Sequence, residues 1–270
     1  MFKDQVVWIT GASSGIGEAL AVAFHAEGAK LILSGRRVEA LEAVQAKVGG
    51  ATRAAIIPFE TTDFDALPGV VEQAQAAFGR IDILINNAGV SQRAMAADTE
   101  FDVYQRMIDI DLLAPIALTQ LVTPEMRAQR SGRIIAISSI AGKVGVPLRT
   151  AYCAAKHGVF GYFDALRSEV SHLGLSVHVV APGSIKTDIS RNAMTGTGEK
   201  RGESDPAIEA GMSPEKLAEI ILTQVKKGRG EIIVAEGRER LIERLRRWAP
   251  EFAFKRIAAM VAQGYEKNFE

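Results

Sequence analysis

Cysteine is almost absent from this chain: Cys153 is the only one in 270 residues. No intramolecular disulfide can form, and nothing calls for an oxidising compartment. Four scattered histidines, with no CxxC or HExxH pattern, leave no metal-ligand spacing, so no metal is expected. An excess of either charge is missing too. Basic and acidic residues number 32 each, which argues against a field built to bind nucleic acid. No uninterrupted apolar run approaches the ~20 residues that span a bilayer. The start, "MFKDQVVWITG", lacks the basic, long-apolar, small-residue order of a secretory leader. A soluble cytoplasmic protein is the expectation.

What is present is an ordinary globular composition, 47% hydrophobic and 24% charged, with enough length for one large α/β domain. Short segments rich in β-branched residues recur: "QVVWIT", "AKLILSG", "AAIIPFE", "IDILINN", "GRIIAISS", "LSVHVVAP" and "GEIIVAE". They read as strands. Being apolar almost throughout, they suit a parallel sheet covered on both faces. Helical segments such as "GIGEALAVAFHAEG", "VEALEAVQAKVGG" and "DALPGVVEQAQAAFG" lie between them, each stopping at Gly. This alternation predicts a doubly wound, Rossmann-like α/β fold. The expected form is a seven-stranded parallel sheet in a three-layer sandwich with right-handed crossovers. The domain is expected over residues 1–236, with 237–270 as a helical C-terminal extension.

The first strand runs into "TGASSGIGEAL", which sets Gly11, Gly15 and Gly17 among Ser13, Ser14 and Ile16 before a helix. Glycines at such a turn let the backbone approach a pyrophosphate, and the helix start supplies free N–H groups and the positive dipole end. The second strand ends "LILSGRRVEAL". An acidic residue there would hold a ribose 2′-hydroxyl; instead Arg36 and Arg37 follow Gly35. Guanidinium groups clamp a phosphate with paired donors, which points to the 2′-phosphate of NADP(H).

In "TAYCAAKHGVFGYF", Tyr152 and Lys156 stand four residues apart, one helical turn, on one face. Alone, that spacing is commonplace. With the other segments in order, the chain resembles the short-chain dehydrogenase/reductase family over about residues 5–235. "TGASSGIG" is similar to the family's cofactor turn, "NNAG" (Asn86–Gly89) to its fourth-strand motif, and "YCAAK" to its Tyr-x-x-x-Lys. Ser139 lies thirteen residues before Tyr152, the family's usual separation, and "PGSIKT" (Pro182–Thr187) is similar to its nicotinamide loop.

The resemblance implies a catalytic set of Ser139, Tyr152 and Lys156, with Ser139 and Tyr152 on the substrate. It assigns the cofactor to Gly11, Ser13, Ser14, Gly15, Ile16 and Gly17, to Asn87, Ala88 and Gly89, and to Tyr152 and Lys156. Pro182, Gly183, Ile185 and Thr187 complete that set. The chemistry suits the positions. Hydride reduction of a carbonyl needs a proton donor for the developing alkoxide. A cation beside a phenol favours the proton-free form, and a serine hydroxyl can polarise the substrate oxygen. Ser138 is the rival if the register slips by one.

Two positions depart from the family. "MIDIDLLAPIALTQ" places Asp111 where the family usually has Asn, a residue that helps hold a water linking the catalytic Lys to solvent. An ionised Asp111 would hold Lys156 protonated more firmly, so altered pH dependence is expected. In "PFETTD", Glu60 stands where the family has an Asp near the adenine.

Residues 190–212 match in position the family's substrate lid. Met194, Ile208, Met212, Val144, Val146 and Leu148 are candidates for an apolar lining that would suit a lipophilic carbonyl or alcohol. In the tail, Leu241, Leu245, Trp248 and Phe252 share a helical face among Arg240, Arg244, Arg246 and Arg247, with Pro250 interrupting. Such a face fits a peripheral anionic membrane contact or a partner subunit. Family members usually pair through helices near 100–128 and 150–172, implying a homodimer or homotetramer. The rival readings are a cofactor-binding regulator without turnover, which Asp111 leaves standing, and a nucleotide-sugar epimerase or dehydratase. The latter generally needs a larger C-terminal domain than this tail provides.

Overall fold

The computed structural model describes residues 1–262; residues 263–270 of the expected extension lie outside them. The chain begins with β1 (Val6–Thr10), α1 (Gly15–Ala26), β2 (Lys30–Ser34), α2 (Val38–Lys47), β3 (Ala54–Ile56) and α3 (Leu67–Phe78). Next come β4 (Ile83–Asn86), α4 (Phe101–Ile108), a π-helical turn (Asp109–Leu113), α5 (Ala114–Ala128), β5 (Gly132–Ile137), α6 (Thr150–Val170) and β6 (Leu175–Pro182). It ends with α7 (Pro206–Glu209), α8 (Pro214–Lys226), β7 (Glu231–Val234), α9 (Gly237–Trp248) and α10 (Pro250–Met260).

All strand pairs are parallel, in the order β3-β2-β1-β4-β5-β6-β7. The expected seven-stranded sheet is therefore present, although β3 keeps only three residues of the apolar run "AAIIPFE". Period-two alternation explains why the strands are apolar throughout. Val7 and Ile9 join Leu20 and Phe24 of α1 and Leu217 and Ile221 of α8 on one face. Val6 and Trp8 join Val71 of α3, Leu118 of α5 and Phe163 of α6 on the other. Both faces are covered, so most strand positions carry apolar side chains, with buried polar residues such as Thr10, Ser34 and Asn86 at the carboxyl ends.

The strand order reverses at β1: β2 and β3 lie to one side of it, and the chain then crosses back from β3 to place β4 on the other. The crevice at the carboxyl ends of β1 and β4 is the place where such sheets take ligands. The described residues contain one helix long and apolar enough to cross a membrane, Phe101–Ala128. Its Val103, Met107, Leu118, Val122 and Met126 side chains are buried in the fold. The tail breaks where Pro250 predicts: α9 stops at Trp248, Ala249 turns, and α10 starts on the proline. Phe252 thus lies on a second helix rather than on one continuous face.

Candidate active site

Thr10, the last residue of β1, organises the crevice. Its Oγ1 accepts from the backbone N–H groups of Asn87 and Ala88, both at 3.0 Å. Asn87 Nδ2 donates in return to the Thr10 and Gly11 carbonyls at 2.9 and 3.2 Å. Asn87 therefore braces the glycine turn against β4. Gly11 has φ +65°, and a Cβ there would sit 2.8 Å from Ala88 Cα; the two backbones touch because residue 11 has no side chain. Gly17 differs from the other two glycines. It lies beneath the turn, where a Cβ would collide with the Gly11 carbonyl oxygen and come within 2.6 Å of Asn87 Nδ2. Its task is packing rather than lining the cleft.

One cavity of about 1950 Å³ runs over this turn, larger than the ~300–1,000 Å³ of ordinary small-molecule pockets. Gly11, Ser13, Ser14, Gly15, Ile16, Asn87, Ala88 and Gly89 line one stretch of it. Ser139, Tyr152, Lys156, Pro182, Gly183, Ile185 and Thr187 line another, and Arg36, Arg37 and Glu60 a third. At the end of β2 the two arginines do different things. Arg37 Nη2 donates to Ser13 Oγ and Ser14 Oγ, both at 3.1 Å, leaning over the turn. Arg36 reaches Glu60 at 3.3 Å in an exposed pair, so Glu60 faces a guanidinium. A glycine cradle, hydroxyls and guanidinium donors in one long cleft fit a dinucleotide and its phosphates.

The candidate reactive groups come from the end of β5 and from α6. Ser138 is buried and donates to the Lys156 carbonyl at 3.0 Å, which occupies its hydroxyl in holding α6 to the sheet. Ser139 caps the next turn, its Oγ accepting from Ala141 N at 3.1 Å, and lines the cavity half-exposed. Both serines border the cavity, but only the Ser138 hydroxyl is engaged with the α6 backbone. On α6, Lys156 Nζ lies 5.6 Å from the Tyr152 ring centroid, so the two side chains share a face.

Lys156 Nζ also donates to the Ile137 carbonyl at 3.2 Å and meets Asp111 Oδ2 at 3.0 Å. Asp111 Oδ1 accepts from Val90 N at 2.8 Å. Burial works against the Lys156 ammonium, but Asp111 and Tyr152 together hold its pKa above the ordinary lysine value. Burial drives the Asp111 carboxyl up, against the pull of Lys156 and the Val90 N–H. The carboxylate stands in the π-turn that interrupts the long helix; such one-turn insertions often mark functional sites. Asp111 does not line the cavity. It sits behind Lys156, and Gly89 leaves the space they share: a Cβ there would lie 3.3 Å from both carboxylate oxygens.

The model for short-chain dehydrogenases matches residues 5–197. The chain belongs to the short-chain dehydrogenase/reductase family. A similar protein is dehydrogenase/reductase SDR family member 7B of Bos taurus, 38% identical over 264 residues, covering 95% of this chain and 81% of that one. A short-chain dehydrogenase structure from Streptomyces avermitilis aligns with TM-score 0.76 and 27% identity, covering 98% of this chain and 96% of the other. A metagenomic short-chain oxidoreductase in complex with NADP aligns with TM-score 0.71 and 30% identity, covering 86% and 97%. The family is one of oxidoreductases that use NAD(H) or NADP(H).

Within this short-chain dehydrogenase/reductase, the segment expected as a lid is stitched to the body. Met194 N donates to Ser91 O, and Arg93 N to Met194 O, each at 2.8 Å. Asp205 anchors its far end, receiving Arg93 at 2.9 Å, Arg149 at 2.6 Å and Arg201 at 3.2 Å. Of the six apolar candidates, Met194 and Ile208 line the cavity. Val144 and Leu148 are buried, Val146 packs beside Tyr152 and Met194, and Met212 packs on the core beneath the sheet.

Sequence reasoning missed Thr10, Asp205 and Glu239. Glu239, in the first turn of α9, accepts from Ser184 N at 3.0 Å and from Ser184 Oγ at 2.7 Å. Its carboxylate occupies the space that a side chain on Gly183 would need. Thr10 opens the quoted "TGASSGIG" segment, but its bracing role, like those of Asp205 and Glu239, is defined by partners far away in the chain.

Proposed function

We propose that this chain is an NADP(H)-dependent oxidoreductase that interconverts a carbonyl and an alcohol. The observation that carries the reading is one cleft shared by Tyr152, Lys156, Ser139 and the glycine turn, with Arg37 rather than a carboxylate at the end of β2. The glycine turn, Arg36 and Arg37 would hold the phosphates, and the Pro182–Thr187 loop the nicotinamide. The bound cofactor supplies or accepts the hydride.

The chain's own residues handle the oxygen and its proton. Ser139 donates to the substrate oxygen and polarises it. In the reductive direction Tyr152 gives its hydroxyl proton to that oxygen; in the oxidative direction it takes the proton back. Lys156, held cationic by Asp111, favours the phenolate that remains after transfer. The Arg37 guanidinium presents paired donors suited to a 2′-phosphate, a group only NADP carries, and the NADP-bound neighbour supports that choice. Met194 and Ile208 on the cleft wall favour a lipophilic substrate. Phe101, 79% exposed on the long helix, supports pairing of copies through that helix.

The test is a panel of ketones and aldehydes assayed by NADPH oxidation, with Tyr152→Phe as control. Loss of the hydroxyl is expected to lower kcat by roughly 10²–10⁴ while NADPH still binds. Full turnover in the Phe variant would remove the assignment. NADPH binding without turnover on any carbonyl favours the regulator reading instead.

A further inference from the structure

The tail carries large apolar side chains that the fold leaves uncovered. Leu241, Trp248, Phe252 and Phe254 are 57%, 81%, 53% and 46% exposed. Earlier in the chain, exposed large apolar residues are spread thinly: Met1, Val22, Val38, Phe64, Met95, Phe101 and Leu113. Four fall within residues 241–254, on two consecutive helices that pack against each other, a concentration of the sort that marks an interaction site.

Charge on the same two helices is one-sided. Across residues 237–262, Arg238, Arg240, Arg244, Arg246, Arg247, Lys255 and Arg256 face only Glu239, Glu243 and Glu251. Two of these acids are spent inward. Glu239 holds Ser184, and Glu243, 8% exposed, pairs with Arg240 at 2.8 Å. The guanidinium groups of Arg246 and Arg247 stand over the Phe254 and Trp248 rings at 4.9 and 5.8 Å. Cations therefore border the apolar side chains directly, in a chain whose formal net charge is zero.

We propose that α9 and α10 form a docking surface for an anionic membrane. Aromatic and aliphatic side chains enter the headgroup boundary while the arginines meet lipid phosphates and carboxylates, the arrangement of interfacial amphipathic helices. A second copy of the chain is a poor occupant, because a two-fold contact through this face would bring like-charged arginine clusters together.

The surface is also well placed. α9 follows β7 directly and grips the loop after β6, so the tail is anchored at the carboxyl edge of the sheet, beside the Pro182–Thr187 segment whose residues line the cleft. Docking there would bring the cleft toward the bilayer, which deepens the proposed function by favouring a membrane-borne lipophilic carbonyl. That consequence rests on the enzymatic reading; docking itself needs no turnover.

The experiment is co-sedimentation of the full chain with phosphatidylcholine vesicles, with and without phosphatidylserine. Binding is expected with phosphatidylserine, weakened by salt, with a blue shift of Trp248 fluorescence. Trp8 is fully buried and supplies a constant background. Arg244→Glu/Arg247→Glu and Trp248→Ser/Phe252→Ser should each lower partitioning at least about tenfold. Both should leave NADPH turnover on a water-soluble carbonyl unchanged.

Absence of binding overturns the proposal, as does equal binding to neutral vesicles that the arginine variant does not change. Dissociation of an oligomer in the Trp248→Ser/Phe252→Ser variant, without vesicle binding by the parent, assigns the face to self-association. Capture of an acidic protein without vesicle binding overturns it equally. Vesicle binding without turnover fails the enzymatic reading alone; turnover without vesicle binding fails the surface alone.

Discussion

Lys156 Nζ stands 3.0 Å from Asp111 Oδ2, and both side chains are almost wholly buried. The two residues come from different helices, and neither has water to fall back on. Removing one member of such a pair leaves an uncompensated buried charge, which costs about 3–5 kcal/mol. The carboxylate also decides when the lysine loses its proton.

The Asp111→Asn variant keeps an oxygen for the Val90 N–H but removes the negative charge. Burial then acts on Lys156 with less opposition, and its pKa falls. The alkaline limb of kcat/KM for NADPH-dependent reduction is expected to move to lower pH. Stability follows the same sign. Lys156 is raised above 10.5 in the folded chain, so its contribution is full below that value and is lost as pH rises through the folded value. An unchanged pH–rate profile in the Asn variant would sink the role given to Asp111.

Arg37→Ala should separate the two nicotinamide cofactors. Arg37 already reaches Ser13 and Ser14, and a charged hydrogen bond to a phosphate is worth about 1.5–3 kcal/mol. KM for NADPH is expected to rise roughly ten- to a hundredfold, with KM for NADH nearly constant. Equal effects on both cofactors would show that Arg37 only supports the turn.

His178 predicts acid sensitivity. It is buried in β6, with Nδ1 2.7 Å from the Arg229 carbonyl and Nε2 3.1 Å from Ser176 Oγ. Burial depresses its pKa below the ordinary 6.5, outweighing the Arg229 carbonyl. The unfolded chain then binds the proton first, so stability should fall as pH drops below 6.5. Thermal melts of the parent and His178→Asn across that range are the check: the variant should lose part of the slope.

Glu239 tests whether the tail reaches the chemistry. Glu239→Ala frees both Ser184 donors and should loosen the Pro182–Thr187 loop. The expected result is a KM for cofactor raised by up to about tenfold, at about 0.5–1.5 kcal/mol per bond, with kcat less affected. Glu239→Gln, which retains an acceptor, should recover part of the loss. Identical cofactor KM values in parent, Ala and Gln chains would confine Glu239 to holding the helix.

The letters alone determined the sheet, the crossovers and most of the cleft wall. Those features follow from short-range causes: apolar β-branched runs that need two dry faces, glycines that end helices, and a Tyr–Lys pair one turn apart. The different settings of Ser138 and Ser139, by contrast, were not legible: only the fold shows that the Ser138 hydroxyl is used on the Lys156 carbonyl. Which apolar residues line the cavity was equally invisible, since Val144 and Met194 look alike until packing turns one inward.

The ion pair of Asp111 with Lys156, the Asp205 anchor and the grip of Glu239 on Ser184 belong to tertiary structure alone. Each joins segments well apart in sequence, so no local periodicity can encode it. A helix can announce its own apolar face, but the charge that meets it across a crevice is chosen by how the layers close.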